Sequence, residues 1–178
     1  MDQGDEQEFA EYFTARRDAV RRTAYLICGD WHRADDLAQT AFVALHRRWR
    51  KIRDRQALDA YVRRTLVRAA IDESRRPWRR EHAVDVLPET GSAGAGDGST
   101  DDVGDTVATR SALVDGLQQV PPRQRAVLVL RFLEGQSVTD VAATLKCTEG
   151  TVKSQTARGL DALRAALGDA LDDLRPAG

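Results

Sequence analysis

The chain has 178 residues, of which 42% are hydrophobic and 31% are charged, and its formal net charge is −1 at pH 7. This composition is typical of a soluble protein with one or two small domains. No stretch approaches the roughly 18 apolar residues of a membrane span, and the acidic start is not typical of a signal peptide, so we expect a cytoplasmic protein without membrane insertion. Cys28 and Cys147 have no metal-like spacing with the histidines, which predicts free thiols and no metal site.

The nearly neutral total hides a strongly polarised distribution of charge. Residues 47–81 contain thirteen basic and five acidic side chains, a net charge of +8, whereas residues 83–120 contain seven acidic side chains and one basic, a net charge of −6. The charge of a segment indicates its binding partners better than the total does. The basic segment is therefore a candidate nucleic-acid surface.

Residues 1–80 predict a compact all-α domain. Apolar residues recur at helical spacing from about Glu6 to Cys28, from about Trp31 to Trp49 and from about Ala57 to Arg76. Pro77 ends the third helix, because proline cannot continue the hydrogen-bond ladder. Arginines remain on the outer face of this helix, and aromatic residues interleaved with arginines suit single-stranded nucleic acid. Trp49 and Tyr61, each taken alone, are more typical of a core.

An acidic pair, Asp35 and Asp36, faces outward near the start of the second predicted helix. Adjacent helical residues do not face each other, and no nucleophile, glycine-rich phosphate loop or set of metal ligands accompanies the pair. We therefore prefer an acidic patch that docks a basic partner over a catalytic pair of carboxylates.

Residues 81–106 predict a flexible acidic linker. The stretch is dominated by glycine, serine and aspartate and contains almost nothing to bury. Residues 84–106, when fully extended, span at most roughly 75–80 Å. One turn of DNA is about 34–36 Å long, so the linker can join two DNA sites one and a half to two turns apart.

Residues 107–174 predict a second all-α domain that ends in a helix-turn-helix. Pro122 suits the first turn of a helix and Gly135 suits the residue after its end. Ser137 then begins a short helix as its N-cap, with Asp140 three residues later in a loose capping box. Residues 146–148 make the turn to a second helix.

The second helix of this motif presents a small polar and basic face. The face consists of Thr151, Lys153, Ser154, Gln155 and Arg158. Lysine and arginine can neutralise phosphates, and arginine and glutamine have the bidentate geometry for base edges. We favour a recognition helix in a major groove over the alternative, a solvated face on an ordinary helical hairpin.

Three motifs, in one order, resemble a known family. Residues 30–42, reading DWHRADDLAQTAF, look like the core-polymerase-binding segment of bacterial RNA polymerase sigma factors. Residues 61–66, 70–72 and 75–76 look like the segment that engages the −10 promoter element. Residues 135–163, with GTVKS at 150–154, look like the helix-turn-helix that binds the −35 element. The small size resembles the extracytoplasmic-function type (group IV), in its SigE-like actinobacterial branch. Family members often have Trp where Tyr61 stands and Asn where Arg68 stands.

The resemblance implies an all-α, non-enzymatic transcription initiation factor with two helical domains and no cofactor. Its implied partners are promoter DNA and the beta and beta-prime subunits of core RNA polymerase, and an anti-sigma factor is a further candidate. The implied core-binding residues are Asp35, Asp36, Leu37, Gln39, Thr40 and Phe42. The implied −10 residues are Arg53, Arg55, Tyr61, Arg64, Arg68, Arg75 and Arg76. The implied −35 residues are Thr151, Lys153, Ser154, Gln155 and Arg158.

A stand-alone helix-turn-helix regulator with a helical sensing domain is the alternative interpretation. It predicts that the purified chain binds its promoter unaided, whereas a sigma factor functions only together with core polymerase. A helical enzyme or a pure interaction module lacks any supporting site in the sequence.

Overall fold

The computed structural model describes residues 2–75 and 103–173, and all regular elements in these two ranges are helices. The helices are α1 (Gln3–Cys28), α2 (Trp31–Arg48), α3 (Ala57–Ser74), α4 (Val103–Gln119), α5 (Pro122–Leu128), α6 (Val138–Leu145) and α7 (Glu149–Asp173). The all-α prediction is confirmed. Most of the predicted linker, together with Arg76 and Pro77, lies outside the described residues. Helix α4 begins at Val103, earlier than the predicted start at Val107.

Local capping chemistry sets the boundary between α1 and α2. Gly29 has φ 74°, which suits glycine, and its N–H donates to the Tyr25 carbonyl at 2.7 Å. Asp30 then accepts a hydrogen bond from the Arg33 backbone N–H at 2.7 Å, as an N-cap residue does. A connection of only two residues therefore joins the two helices, and they pack against each other.

The core of the first three helices is built around Trp49, which lies in a 3₁₀ turn directly after α2 and is only 1% exposed. The rings of Phe9 and Tyr12 approach the indole at centroid distances of 5.2 and 6.0 Å. The Arg55 guanidinium lies over the same indole, 4.4 Å from the ring centroid. The interpretation of Trp49 as a core residue is thus confirmed.

The second group of helices is held together by α7, which contacts α4, α5 and α6. Pro122 occupies the first turn of α5 as predicted, and the helix continues into a π-helical turn over Val129–Leu133. Gly135 follows with φ 64°. Gly159 lets α7 approach α5 closely, since a Cβ atom there would lie 3.1 Å from Leu128 Cγ.

The two groups of helices pack on each other, and their buried apolar residues form one continuous cluster. Arg125 of α5 joins them by donating to the Ile27 carbonyl of the first group at 2.6 Å, and it also donates to the Gln118 and Val120 carbonyls of its own group at 2.9 Å each. These carbonyls lie at or just beyond the C-terminal ends of α1 and α4, where helices leave acceptors without internal partners. Burial lowers the pKa of Arg125 to about 10, so the side chain remains charged at neutral pH. The sequence did not predict that the two groups of helices pack against each other.

Candidate functional site

The outer face of α2 presents a continuous row of exposed polar side chains. Asp35, Asp36, Gln39 and Thr40 are exposed and follow helical spacing. The Thr40 hydroxyl donates to the Asp36 backbone carbonyl at 2.8 Å, so this hydroxyl is engaged within α2. This part of the predicted core-binding set forms a single surface.

Two members of the same predicted set lie inside the molecule. Leu37 and Phe42 are 5% and 4% exposed and belong to the hydrophobic core, because helical spacing turns them toward α1 and α3. Helical periodicity in the sequence places both residues on the buried side of the helix, and the structure agrees. Their side chains anchor α2 in the core beneath its exposed face.

A groove of about 780 Å³ runs between α1 and α2 beside the exposed row. Its floor is apolar and includes Phe13, Phe42 and Val43, and the rings of Phe13 and Phe42 contact each other at a centroid distance of 4.9 Å. Asp35 and His46 are among the polar residues at its rim. The sequence did not predict the groove, although apolar Val43 among the polar residues of the outer face of α2 was a signal for it.

Asp35 is held in place by a stack of side chains at one end of the groove. Arg21 of α1 makes two hydrogen bonds to its carboxylate. The Arg21 guanidinium lies 4.4 Å from the centroid of the Trp31 ring, which in turn stacks on Tyr25 at 3.9 Å. The carboxylate is therefore positioned before any partner arrives.

The predicted −10 residues are divided between two environments. Arg53, Arg64 and Arg75 are exposed, and Arg64 lies 5.8 Å from the ring centroid of half-buried Tyr61. Arg55, besides covering Trp49, pairs with Glu8 at 2.5 Å. Arg76 lies outside the described residues.

Arg68 departs from the outward orientation that the sequence predicted. Its side chain is half-buried between the two groups of helices, and its Nε donates to the Thr144 carbonyl in α6 at 3.2 Å. The reason is tertiary, because α6 packs directly on α3. In this arrangement Arg68 contacts protein rather than solvent.

The helix-turn-helix forms as the sequence predicts. Ser137 accepts a hydrogen bond from the Asp140 backbone N–H at 3.0 Å and caps α6. Lys146 takes the left-handed conformation, with φ 51°, and so makes the tight turn. Thr148 then caps α7 by accepting from the Thr151 N–H at 3.1 Å. Buried Val152 fixes the rotation of α7 against the rest of the domain.

The predicted −35 residues share the outer face of the first turns of α7. Lys153, Ser154 and Arg158 are exposed, while Thr151 and Gln155 are half-buried. The Thr151 hydroxyl is hydrogen-bonded to that of Thr148, and the Ser154 hydroxyl donates to the Thr151 carbonyl at 3.0 Å. The charged and amide side chains of this face thus lie beside hydroxyl groups that already form hydrogen bonds within α7 or with its N-cap residue.

Comparison with known proteins identifies the family. Residues 12–80 match the model of sigma-70 region 2, and residues 110–163 match the model of sigma-70 region 4. The chain is 38% identical over 167 residues to the RNA polymerase sigma-E factor of Streptomyces avermitilis, covering 94% of this chain and 89% of that protein. The chain belongs to the sigma-70 family of RNA polymerase sigma factors.

Two further similarities are consistent with this membership. The ECF RNA polymerase sigma factor SigM of Mycobacterium tuberculosis is 30% identical over 167 residues, covering 93% of this chain and 80% of that protein. The fold is similar to that of the sigma factor RpoE from Bartonella quintana, solved in complex with the anti-sigma factor NepR, with a TM-score of 0.68 and 20% identity. That match covers 91% of this chain and 98% of the solved chain.

As a sigma factor of the extracytoplasmic-function type, the protein is a transcription initiation factor and not an enzyme. It binds core RNA polymerase and directs it to promoter DNA. Region 2 contains α1 to α3, and region 4 contains the helix-turn-helix.

Two observations concern ligands and membranes. Within residues 2–75 and 103–173, no group of three or more His, Cys, Asp or Glu side chains is arranged to hold a metal ion, and Cys28 and Cys147 are free thiols. Among the helices of these same residues, none combines the length and the apolar character that crossing a membrane requires.

Proposed function

We propose that three separate surfaces of this sigma factor make its three contacts: α2 binds core polymerase, α3 and the loop before it bind the −10 element, and α7 binds the −35 element. The observation that carries this assignment is the exposure of polar side chains along one face of α2 and of α7, and of Arg53, Arg64 and Arg75 in and beside α3. The domain boundaries that fit it are residues 1–80 and 107–174, with residues 81–106 as the linker. The site of action is the cytoplasm.

The proposed polymerase contact consists of Asp35, Asp36, Gln39 and Thr40, with Leu37 and Phe42 supporting the helix from within. Asp35 at the edge of an apolar groove, with Asp36 exposed beside it, suits a partner that brings basic side chains around an apolar ridge. Because Arg21 already orients Asp35, little conformational freedom is lost on binding. This preorganisation favours affinity.

The test is charge reversal on α2. Asp35→Arg together with Asp36→Arg should weaken binding to core polymerase by at least about tenfold, because like charges across an interface repel. A matched control reverses the charges of Glu6 and Asp161, which are exposed and lie on other helices. Labelled protein and core polymerase would give the affinity, and run-off transcription would give the activity. Equal affinity for the two double variants would contradict the assignment.

The proposed −10 contact uses Arg53, Arg64 and Arg75 for phosphates and the ring of Tyr61 for base stacking. Arginines beside an aromatic ring are typical of surfaces that hold single-stranded nucleic acid. Arg64→Ala should weaken binding of the polymerase complex to a promoter that is already melted at −10. An equal loss on a fully paired duplex of the −35 region would contradict this role.

The proposed −35 contact divides between charge and base readout. Lys153→Ala should remove about one phosphate contact. The slope of log affinity against log salt concentration should therefore become less steep by about 0.9. Gln155→Ala should cost about 1–3 kcal/mol at a single base pair and relax specificity there. Binding of duplex −35 fragments by the polymerase complex at several salt concentrations separates the two effects. Identical slopes for both variants would contradict the division.

An anti-sigma factor is the second protein partner that we propose. The apolar floor of the groove between α1 and α2 suits the apolar face of an amphipathic helix. Such an occupant would compete with core polymerase for the adjoining acidic row. Val43→Asp, in the floor of the groove, should weaken binding of an anti-sigma factor, measured by co-purification with a candidate expressed in the same cells.

A further inference from the structure

One face of α1 carries a stripe of polar side chains, which we call the α1 stripe. Its members lie three or four residues apart, so they share one side of the helix. The stripe consists of Asp5, Glu8, Tyr12 and Arg16. These side chains contact the loop of residues 49–56 and the first turn of α3. Both of these segments belong to the surface that we assign to −10 DNA.

The two acidic members of the stripe pair with two arginines of the loop. Nε of Arg50 donates to the Asp5 carboxylate at 2.9 Å, and the Asp5 side chain is only 20% exposed. This pair is therefore screened less than one on an open surface. Nη2 of Arg55 donates to the Glu8 carboxylate at 2.5 Å. Because the Arg55 guanidinium also lies over the buried indole of Trp49, two partners within the chain hold it.

The other two members of the stripe hold the first turn of α3. The Tyr12 hydroxyl donates to Oδ1 of Asp59 at 2.8 Å, and Arg16 pairs with the second oxygen of the same carboxylate. Asp59 lies in the first turn of α3. Each charged member of the stripe thus faces a partner of opposite charge, and opposite charges attract. The charges therefore favour one placement of the loop and of α3 against α1.

Arg53 is exposed between the two held arginines, three residues after Arg50 and two residues before Arg55. The backbone beside it is also fixed, because the Asp54 carboxylate accepts from the Gln56 N–H at 2.9 Å, as in an Asx turn. An arginine with anchored neighbours loses less conformational freedom when it binds a phosphate. The measured affinity equals the affinity of the correctly placed loop multiplied by the fraction of chains that have it.

We propose that Asp5 and Glu8 are positioning residues for −10 recognition: they hold the loop of residues 49–56 so that Arg53 is placed for a phosphate of melted DNA. The proposal rests on the proposed function, which assigns this loop to −10 DNA. Arg55, one of the −10 residues that the family resemblance implies, then acts by fixing the loop rather than by touching DNA.

The test removes both carboxylate charges with Asp5→Asn together with Glu8→Gln. Glu6→Gln together with Glu11→Gln is the matched control, since it makes the same change in net charge on exposed residues of the same helix. Polymerase assembled with each variant binds a fluorescent promoter fragment that is already melted at −10. The test variant should bind about threefold to tenfold more weakly than the control, because each such ion pair shifts an equilibrium by about 1.4-fold to fivefold. A duplex −35 fragment should bind both variants equally.

A double-mutant cycle with Arg53→Ala shows whether the two carboxylates act through the loop. If they position Arg53, the loss caused by Asp5→Asn with Glu8→Gln should largely disappear once Arg53 is replaced. The two chains that lack Arg53 should then agree within about twofold, which is the usual error of additivity. A general loss of stability would instead weaken binding by the same factor in both backgrounds.

Amide hydrogen exchange on the free chain measures the hold on the loop without DNA. The backbone N–H groups of Ile52 and Ala57 donate to carbonyls at 3.2 and 3.1 Å, so their exchange reports how often the loop opens. Exchange at these groups should be faster in Asp5→Asn with Glu8→Gln than in the control, and exchange in α7 should be equal. Glu8→Gln alone should shift both readouts in the same direction by less, and it serves if circular dichroism shows the double variant to be unfolded.

Four results would overturn the proposal. They are an affinity for the melted promoter equal to that of the control, an equal loss with and without Arg53, unchanged exchange in the loop, and tighter binding of the melted promoter. The last result would make the carboxylates competitors of phosphate. Failure of the proposed function has a different signature: Arg53→Ala then leaves binding of the melted promoter unchanged, while Asp5→Asn with Glu8→Gln still accelerates exchange in the loop.

Discussion

Arg125→Met tests a guanidinium whose hydrogen bonds join the two domains at Ile27 and hold the end of α4 within the second domain. The guanidinium donates to the carbonyls of Ile27, Gln118 and Val120 at 2.6, 2.9 and 2.9 Å. Methionine is also unbranched but leaves all three carbonyls without this donor. Hydrogen bonds to a charged group contribute about 1.5–3 kcal/mol each, and removing a buried charge recovers part of that through its desolvation cost. We expect the free energy of unfolding to fall by about 2–4 kcal/mol.

Thermal unfolding followed by circular dichroism is the assay. For a chain of this size, 1 kcal/mol corresponds to about 2–4 °C in Tm, so the melting temperature should fall by about 4–16 °C. Arg164→Met is the matched control, because the Arg164 side chain is 73% exposed and forms an exposed ion pair with Asp161. If Arg125→Met melts within about 2 °C of Arg164→Met, the hydrogen bonds of Arg125 do not stabilise the chain, which would refute the prediction.

Three further predictions concern the core, a helix cap and a thiol. Trp49→Ala should lower the free energy of unfolding by about 3–5 kcal/mol in urea denaturation, because the indole is 1% exposed and packed by two rings; a cost below about 1 kcal/mol would contradict it. Ser137→Ala should cost about 1 kcal/mol and accelerate amide exchange in α6, whereas Ser111→Ala, on an exposed residue, should not. Burial raises the pKa of the Cys28 thiol, so Cys28 should react with iodoacetamide more slowly than Cys147 at about pH 8. Because this pKa is raised only in the folded state, stability should fall as the pH rises above the ordinary thiol range, and equal reaction rates in the folded chain would contradict the burial.

Local chemistry allowed the sequence to predict much of the fold. Pro122 lies in the first turn of α5, Gly135 follows the end of that helical segment and Ser137 caps α6, all as predicted. Each of these signals depends on backbone groups within a few residues. The outer face of α7 was predictable for a similar reason, since helical periodicity around Val152 decides which residues turn away from the core.

The candidate site was predicted less completely, because its members depend on contacts between distant segments. Leu37 and Phe42 belong to the motif that resembles the polymerase-binding segment, and helical spacing already predicts that they lie on the buried side of α2. The groove beside them exists only because α1 lies next to α2. Motif similarity identifies a segment, whereas burial selects which of its residues a partner can reach.

The amino-acid sequence alone determined the helices, the two domains and the family, because these follow from periodicity, caps and motifs that are local along the chain. Tertiary structure alone decided the environment of Arg68, Arg125 and Glu134. Their partners, Thr144, Ile27 and Thr23, lie on the opposite domain or far away in sequence. The spacing of arginines in a sequence does not show whether their guanidinium groups face solvent, DNA or another helix. Only the packing of α6 on α3 shows which acceptor Arg68 has.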